Sequence, residues 1–140
     1  MAFREASLET KASPARVWQV WSDVNTWPAW NPDMKESRLD GPLKLGATGM
    51  INTNSGGKHD VVVTHFEDGR SFELESTAMP GTKMGIRATV EPAANGARIT
   101  QAFEARGLLA PVVGPMMGGM ILKTFNSVLE SLKQKAESSS

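Results

Sequence analysis

A chain of 140 residues with 15 basic and 15 acidic side chains and a formal net charge of zero has room for one domain, whose folding removes roughly two thirds of its unfolded surface from water. The charges are spread along the chain, so it lacks the basic stripe of a nucleic-acid groove, and no nucleic-acid partner is expected. Without cysteine there can be no disulfides, thiolate metal ligands or thiol nucleophile.

The opening MAFREASLETK carries charges where a signal peptide needs an apolar run, which points to a cytoplasmic protein. Residues 3–11 alternate, Ala6 and Leu8 against Glu5, Ser7 and Glu9, as in a strand with one wet face. Ser13 caps a helix with Pro14 in its first turn, where no backbone donor is wasted. Val17, Trp18, Trp21 and Val24 recur at helical spacing and form its expected buried stripe. Trp27-Pro28 and Asn31-Pro32 break any continuation, because the residue before a proline is pushed out of the helical region. A short second helical turn is expected between them. All four tryptophans therefore fall on this helix and the segment leaving it.

From Met34 the chain reads as six strands separated by turn chemistry at Asp40-Gly41-Pro42, Asn54 to Gly57, Asp68-Gly69, Pro80-Gly81 and Asn95-Gly96. Asp68-Gly69 and Asn95-Gly96 suit two-residue hairpins in which both residues need positive φ. Phe72 and Leu74 alternate with Glu73 and Glu75; Met84, Ile86, Ala88 and Val90 with Arg87, Thr89 and Glu91; Ile99 and Phe103 with Thr100 and Glu104. One face is thus apolar, and Glu73, Glu75, Arg87, Glu91 and Glu104 are expected in solvent.

After Arg106 the period changes. Val113, Met117, Ile121, Phe125 or Thr124, Val128 and Leu132 recur at three and four residues, which makes a long amphipathic helix whose stripe needs the sheet. Its segment Gly107–Leu122 has no charge, but it falls short of the eighteen or so residues of a spanning helix and contains two prolines and four glycines. No membrane span is expected.

This order, with S-P-A-R-V-W-Q-V-W-S-D, W-P-A-W-N-P, D-G-P-L-K-L-G and the closing V-L-E-S-L-K, resembles the START-like, Bet v 1-type helix-grip superfamily, in particular its bacterial polyketide cyclase/dehydrase and lipid-transport (SRPBCC) branch. The resemblance implies an α+β helix-grip fold: a seven-stranded curved antiparallel sheet around a long C-terminal helix, with a ligand cavity between them. Residues 1–137 would form this one domain and 138–140 a disordered tail.

The expected wall of that cavity combines Met50 and Met84 on strands with Met116, Met117 and Met120 on the helix. Unbranched, polarizable side chains there adapt to ligand shape, and Gly114, Gly118 and Gly119 leave space beside them. Core filling is the plainer role for any single one of these methionines. Trp27 and Trp30 fall near the expected mouth, where an indole offers an apolar surface and one donor, or else caps the core. Phe72, Leu74, Ile86, Phe103 and Ile121 complete the apolar lining. Gln101 shares parity with Ile99 and Phe103 and needs a polar partner on an apolar face, whether ligand, water or the closing helix.

His59 and His65 are six residues apart on one strand, roughly 20 Å at about 3.3 Å per residue, too far to share a metal. No metal or other cofactor is expected. If Val61 and Val63 face inward, so does His65, and it becomes the candidate general acid or base. If Val62 and Phe66 face inward, it is a surface histidine. Asp23, Asp33 and Glu36 lie near the expected entrance and read as capping or solvating carboxylates. The expected partner is a small hydrophobic or aromatic molecule, lipid or polyketide-like. A cofactor-independent cyclase, aromatase or dehydratase using the same cavity is the alternative, and a membrane-surface or interaction module built on Gly107–Leu122 is a third. A homodimer is left open.

Overall fold

The computed structural model describes residues 4–54, 57–79, 82–107 and 110–138, with side chains over 5–54, 57–76, 82–107 and 122–138. Seven strands, β1 (Arg4–Thr10), β2 (Met34–Leu39), β3 (Thr48–Thr53), β4 (Gly57–Glu67), β5 (Ser71–Met79), β6 (Thr82–Ala93) and β7 (Gly96–Gly107), form one antiparallel sheet in the order β1-β7-β6-β5-β4-β3-β2. Strands β2 to β7 are a simple meander, and β1 closes the far edge against β7. Between β1 and β2 lie helix α1 (Pro14–Trp21) and a 3₁₀ helix (Val24–Ala29). Helix α2 (Ala110–Ser138) packs on β1, β7 and α1. This is the expected α+β helix-grip arrangement.

The Ser13 hydroxyl caps α1 by accepting from the Arg16 N–H at 3.1 Å. Val17, Val20 and Trp21 are its buried face, so Val20 takes the place expected of Trp18, which is half-buried and packs on the core's flank. The short helical turn comes earlier than the prolines suggest. It starts at Val24 and contains Pro28, which lacks the N–H that would continue the ladder there.

The hairpins also differ from expectation. Residues 68–70 form a three-residue loop closed by Arg70 N–H to the Glu67 carbonyl, and of these three only Gly69 has positive φ, at 76°. At the β6–β7 turn the loop is Ala94-Asn95, and Gly96 instead pairs with Ala93 in the ladder. Gly96 is needed for a close approach, because a Cβ there would run into the Thr10 carbonyl at the end of β1.

Phe125, Val128, Leu129, Leu132 and Ala136 bring the buried stripe of α2 onto the sheet. Its C-terminal end is tied down by Glu137, whose carboxylate accepts from the Thr10 hydroxyl at 2.6 Å and the Lys11 N–H at 3.0 Å. Ser138, expected in a disordered tail, belongs to the helix: its hydroxyl donates to the Lys135 carbonyl, one of the acceptors a helix end leaves open. Among the described residues no helix is long and apolar enough to cross a membrane.

The sheet face turned away from α2 is not the solvated surface its charges suggest. Glu73 is 3% exposed. It accepts from Arg106 at 3.0 Å and from the Thr64 hydroxyl at 2.7 Å, with Arg87 at 3.8 Å. Arg106 also bridges Glu75, at 2.6 Å, and Glu104. Burial opposes the charge on Arg106, but Glu73 and Glu104 hold its pKa above the ordinary arginine value. Gly85 leaves room for the arrangement: a Cβ there would stand 2.9 Å from Glu73 Oε2.

Candidate functional site

Phe72, on β5, is where the tryptophans converge. Trp18 and Trp21 meet its ring edge-on at centroid distances of 5.8 and 6.2 Å, and Trp27 stacks on it at 6.1 Å. Trp27 is locked by its indole N–H, which donates to the Trp21 carbonyl at 2.9 Å. Trp30 packs on the same core, with its indole nitrogen buried and unpartnered among the described residues.

Beside this cluster the sheet and α2 enclose a space of about 50 Å³. Trp21, Trp27 and Phe72 form one wall, Leu74, Ile86 and Ala88 the sheet floor, Ile51, Thr53 and Met34 a second side, and Thr124, Phe125 and Val128 the helix roof. An enclosure of this size takes a few waters rather than a ring. It adjoins an open cleft of about 250 Å³ lined by Pro32, Asp33, Asn54, Lys123, Thr124 and Ser127. Asp33 and Thr124 border both spaces. The site is therefore a tight apolar throat leading to a polar mouth.

Two amides line the throat. Gln101, 7% exposed, sits between Ala6 and Ala88 in the ladder, and its side chain has no hydrogen-bond partner among the described residues. Asn31, 8% exposed, accepts the Asp33 N–H on Oδ1 at 2.9 Å, which leaves its NH₂ as the group it can offer. The Asn31-Pro32-Asp33 turn is also pinned from β3's end, where Asn54 N–H donates to the Asp33 carbonyl at 2.7 Å.

Of the residues expected at the cavity, Trp27, Phe72, Leu74, Ile86 and Gln101 line the throat. Phe103 shares their face but is 1% exposed and packed into the core, and Met84 is half-buried on that face without bordering the space. Met50 alternates with Ile51 and is buried on the opposite face. The side chains of Met116, Met117, Met120 and Ile121 lie outside the described residues.

His65 does not face the throat. Val63 pairs with Leu74 and His65 with Glu73, and the bulge at Thr64 between them shifts the parity of the strand. Val61 and Val63 are therefore buried on the core side, and beyond the bulge Phe66 is also on that side, 6.1 Å from Trp18. Neither simple register holds for the whole strand. His65 Nε2 instead bonds the Ser71 hydroxyl at 2.6 Å on the outer face. Asp33 is the one ionisable residue lining the throat among the described residues. Its sequence signal was the turn-forming Asn31-Pro32-Asp33, which reads as local capping and reveals nothing of the helix opposite.

The family model described as polyketide cyclase / dehydrase and lipid transport matches residues 3–137. A comparison with curated proteins returned no match. Among solved structures, a START superfamily protein from Mycobacterium smegmatis superposes with a TM-score of 0.73 at 18% identity over 97% of both chains. Truncated norcoclaurine synthase from Thalictrum flavum gives 0.68 at 14% identity over 93% of this chain and 89% of that one. The di-domain ARO/CYC StfQ from the steffimycin biosynthetic pathway gives 0.74 at 13% identity, over 96% of this chain but 50% of StfQ. At such identities the shared property is the sheet gripping its C-terminal helix. With nearly its whole length matched by one family model, the chain belongs to the polyketide cyclase/dehydrase and lipid transport family.

Proposed function

We propose that this protein binds a small hydrophobic or aromatic molecule, lipid or polyketide-like, between the sheet and α2. The observation that carries the reading is Gln101: an amide more than nine-tenths buried, bordering an apolar enclosure, with no hydrogen-bond partner among the described residues. A ligand carbonyl or hydroxyl bonding this amide would gain a hydrogen bond worth about 0.5–1.5 kcal/mol. Burial of the ligand's apolar surface would supply affinity at about 25 cal/mol per Å², less the cost of association. Because the throat holds about 50 Å³, a ligand of any size must widen it. Occupancy should therefore stabilise the protein and change its tryptophan emission through Trp21 and Trp27.

Native mass spectrometry of the cytoplasmically expressed protein, followed by denaturing extraction, tests this reading. A retained apolar compound supports it. Empty protein that also fails to bind Nile red at micromolar concentrations refutes it.

The second reading is a cofactor-independent cyclase or dehydratase. Its support is the family description and the likeness to StfQ, whose name marks it as an ARO/CYC protein. His65 offers it nothing from the outer face, so any acid–base step within the throat would fall to Asp33.

A further inference from the structure

Asn31 presents its amide in one sense only. Its main chain is held on both sides, the N–H donating to the Trp27 carbonyl at 2.7 Å and the carbonyl accepting from the Met34 N–H at 3.2 Å. The side-chain atom that meets the Asp33 N–H must be Oδ1, because a main-chain N–H only donates, and Nδ2 therefore points away from the turn. Nδ2 has no hydrogen-bond partner among the described residues. It is not sealed off either, since Trp30 Nε1 is the one side-chain polar atom among those residues that is both fully buried and unpartnered. Asn31 is 8% exposed and borders the throat but not the outer cleft, which assigns the open surface of Nδ2 to the throat.

Gln101 is not restricted in this way. Neither end of its amide has a partner among the described residues, so by turning over it serves a ligand donor or a ligand acceptor equally. Discrimination between head groups therefore falls to Asn31. We propose that Asn31 Nδ2 donates to a carbonyl oxygen of the bound ligand, and that the site prefers a ketone to the corresponding alcohol, whose hydroxyl hydrogen finds no acceptor on an amide with Oδ1 turned to Asp33. A carboxylate would enter without a counter-charge, because no basic residue borders the throat among the described residues. The proposal rests on the reading of the throat as a ligand site.

The test uses the full chain, with Nile red as the reporter and α-tetralone and α-tetralol, alike in carbon skeleton, as competitors. Wild type should bind the ketone more tightly, and the diagnostic quantity is the change in the ketone-to-alcohol affinity ratio on Asn31→Asp, in which the hydration of the two compounds cancels. That substitution keeps the size of the side chain and the acceptor for the Asp33 N–H, but it replaces the donor with a carboxylate oxygen, which a hydroxyl can bond and a carbonyl cannot. The ratio should fall by about tenfold. In Asn31→Ser, whose hydroxyl can still accept from the turn while the amide donor is gone, it should fall by about threefold, and this variant decides the matter if Asn31→Asp does not fold. Gln101→Leu should leave the ratio within about twofold of wild type, because that amide serves both heads alike. An unchanged ratio in the Asn31 variants, a ratio that moves in Gln101→Leu alone, a wild-type preference for the alcohol, or Nile red displaced by neither compound overturns the proposal and leaves the cavity reading standing. Failure to bind Nile red at all sinks both.

Discussion

His65 Nε2 and Ser71 Oγ are 2.6 Å apart on the face of the sheet opposite α2, so the one histidine that sequence offered as a catalyst is spent on a cross-strand hydrogen bond. His65→Ala should leave Nile red affinity within about twofold of wild type and lower stability by about 1 kcal/mol, the usual worth of such a bond. Fluorescence titration and urea unfolding measure the two. A tenfold loss of affinity with stability intact would contradict the assignment.

Arg106 holds the buried Glu73, and its removal leaves that carboxylate with Arg87 and Thr64 among the described residues. Breaking a buried pair costs about 3–5 kcal/mol, but Arg106 is itself 37% exposed, and water would recover part of the loss, so about 2 kcal/mol is expected for Arg106→Ala. Arg106→Lys should recover less than half of it, since an ammonium cannot reproduce the planar fork that reaches Glu73, Glu75 and Glu104 together. The midpoint of urea unfolding reports both. Equal midpoints for Arg106→Lys and wild type would show that charge alone matters.

Gln101→Leu should behave in the opposite sense to most core substitutions. Removing a buried amide that has no partner among the described residues is expected to raise stability by up to about 1 kcal/mol while weakening a carbonyl-bearing ligand by about tenfold. Thermal unfolding of the empty protein and titration with Nile red, which carries a ring carbonyl, check the two halves. Loss of stability together with unchanged affinity would show that the amide serves the fold.

Glu137 gives the protein an acid-sensitive tie. The Thr10 hydroxyl first, and then the Lys11 N–H, hold its carboxyl below the ordinary value of 4.5. A carboxyl depressed in the folded state stabilises the protein fully above its unfolded pKa, and that stabilisation is lost as the pH falls through the folded value. Wild type should therefore exceed Glu137→Gln in stability near neutral pH, and the two should converge as the pH drops below about 4. Urea midpoints across that range provide the measurement. A gap that widens on acidification would reverse the sign and refute the account.

Features that depend on neighbours in sequence were legible. The Ser13 cap, the change of period after Arg106, and the alternation that puts Phe72, Leu74, Ile86 and Gln101 on one face all follow from local spacing, and each appears in the structure. The Asp68-Gly69 and Asn95-Gly96 turns were right in place but wrong in detail, while Ser55-Gly56 and Pro80-Gly81 lie outside the described residues. Gly96 answers to the Thr10 carbonyl at the end of β1, which lies more than eighty residues away in sequence.

Sequence by itself determined the frame: a meander with one apolar face, an aromatic α1, and a closing helix whose stripe had to find that face, because burying apolar area admits few other arrangements of these elements. Tertiary structure decided which side chains meet. The bulge at Thr64 turned His65 away from the core, and alternation cannot reveal a bulge, since one extra residue reverses parity without changing composition. The empty position at Gly85 let Glu73 sink beside Arg106, although its parity promised solvent. The approach of α2 to the Asn31-Pro32-Asp33 turn set Asp33 beside Thr124 at the mouth of the throat. Each of these outcomes rests on distances across the fold, which periodicity along a chain does not encode.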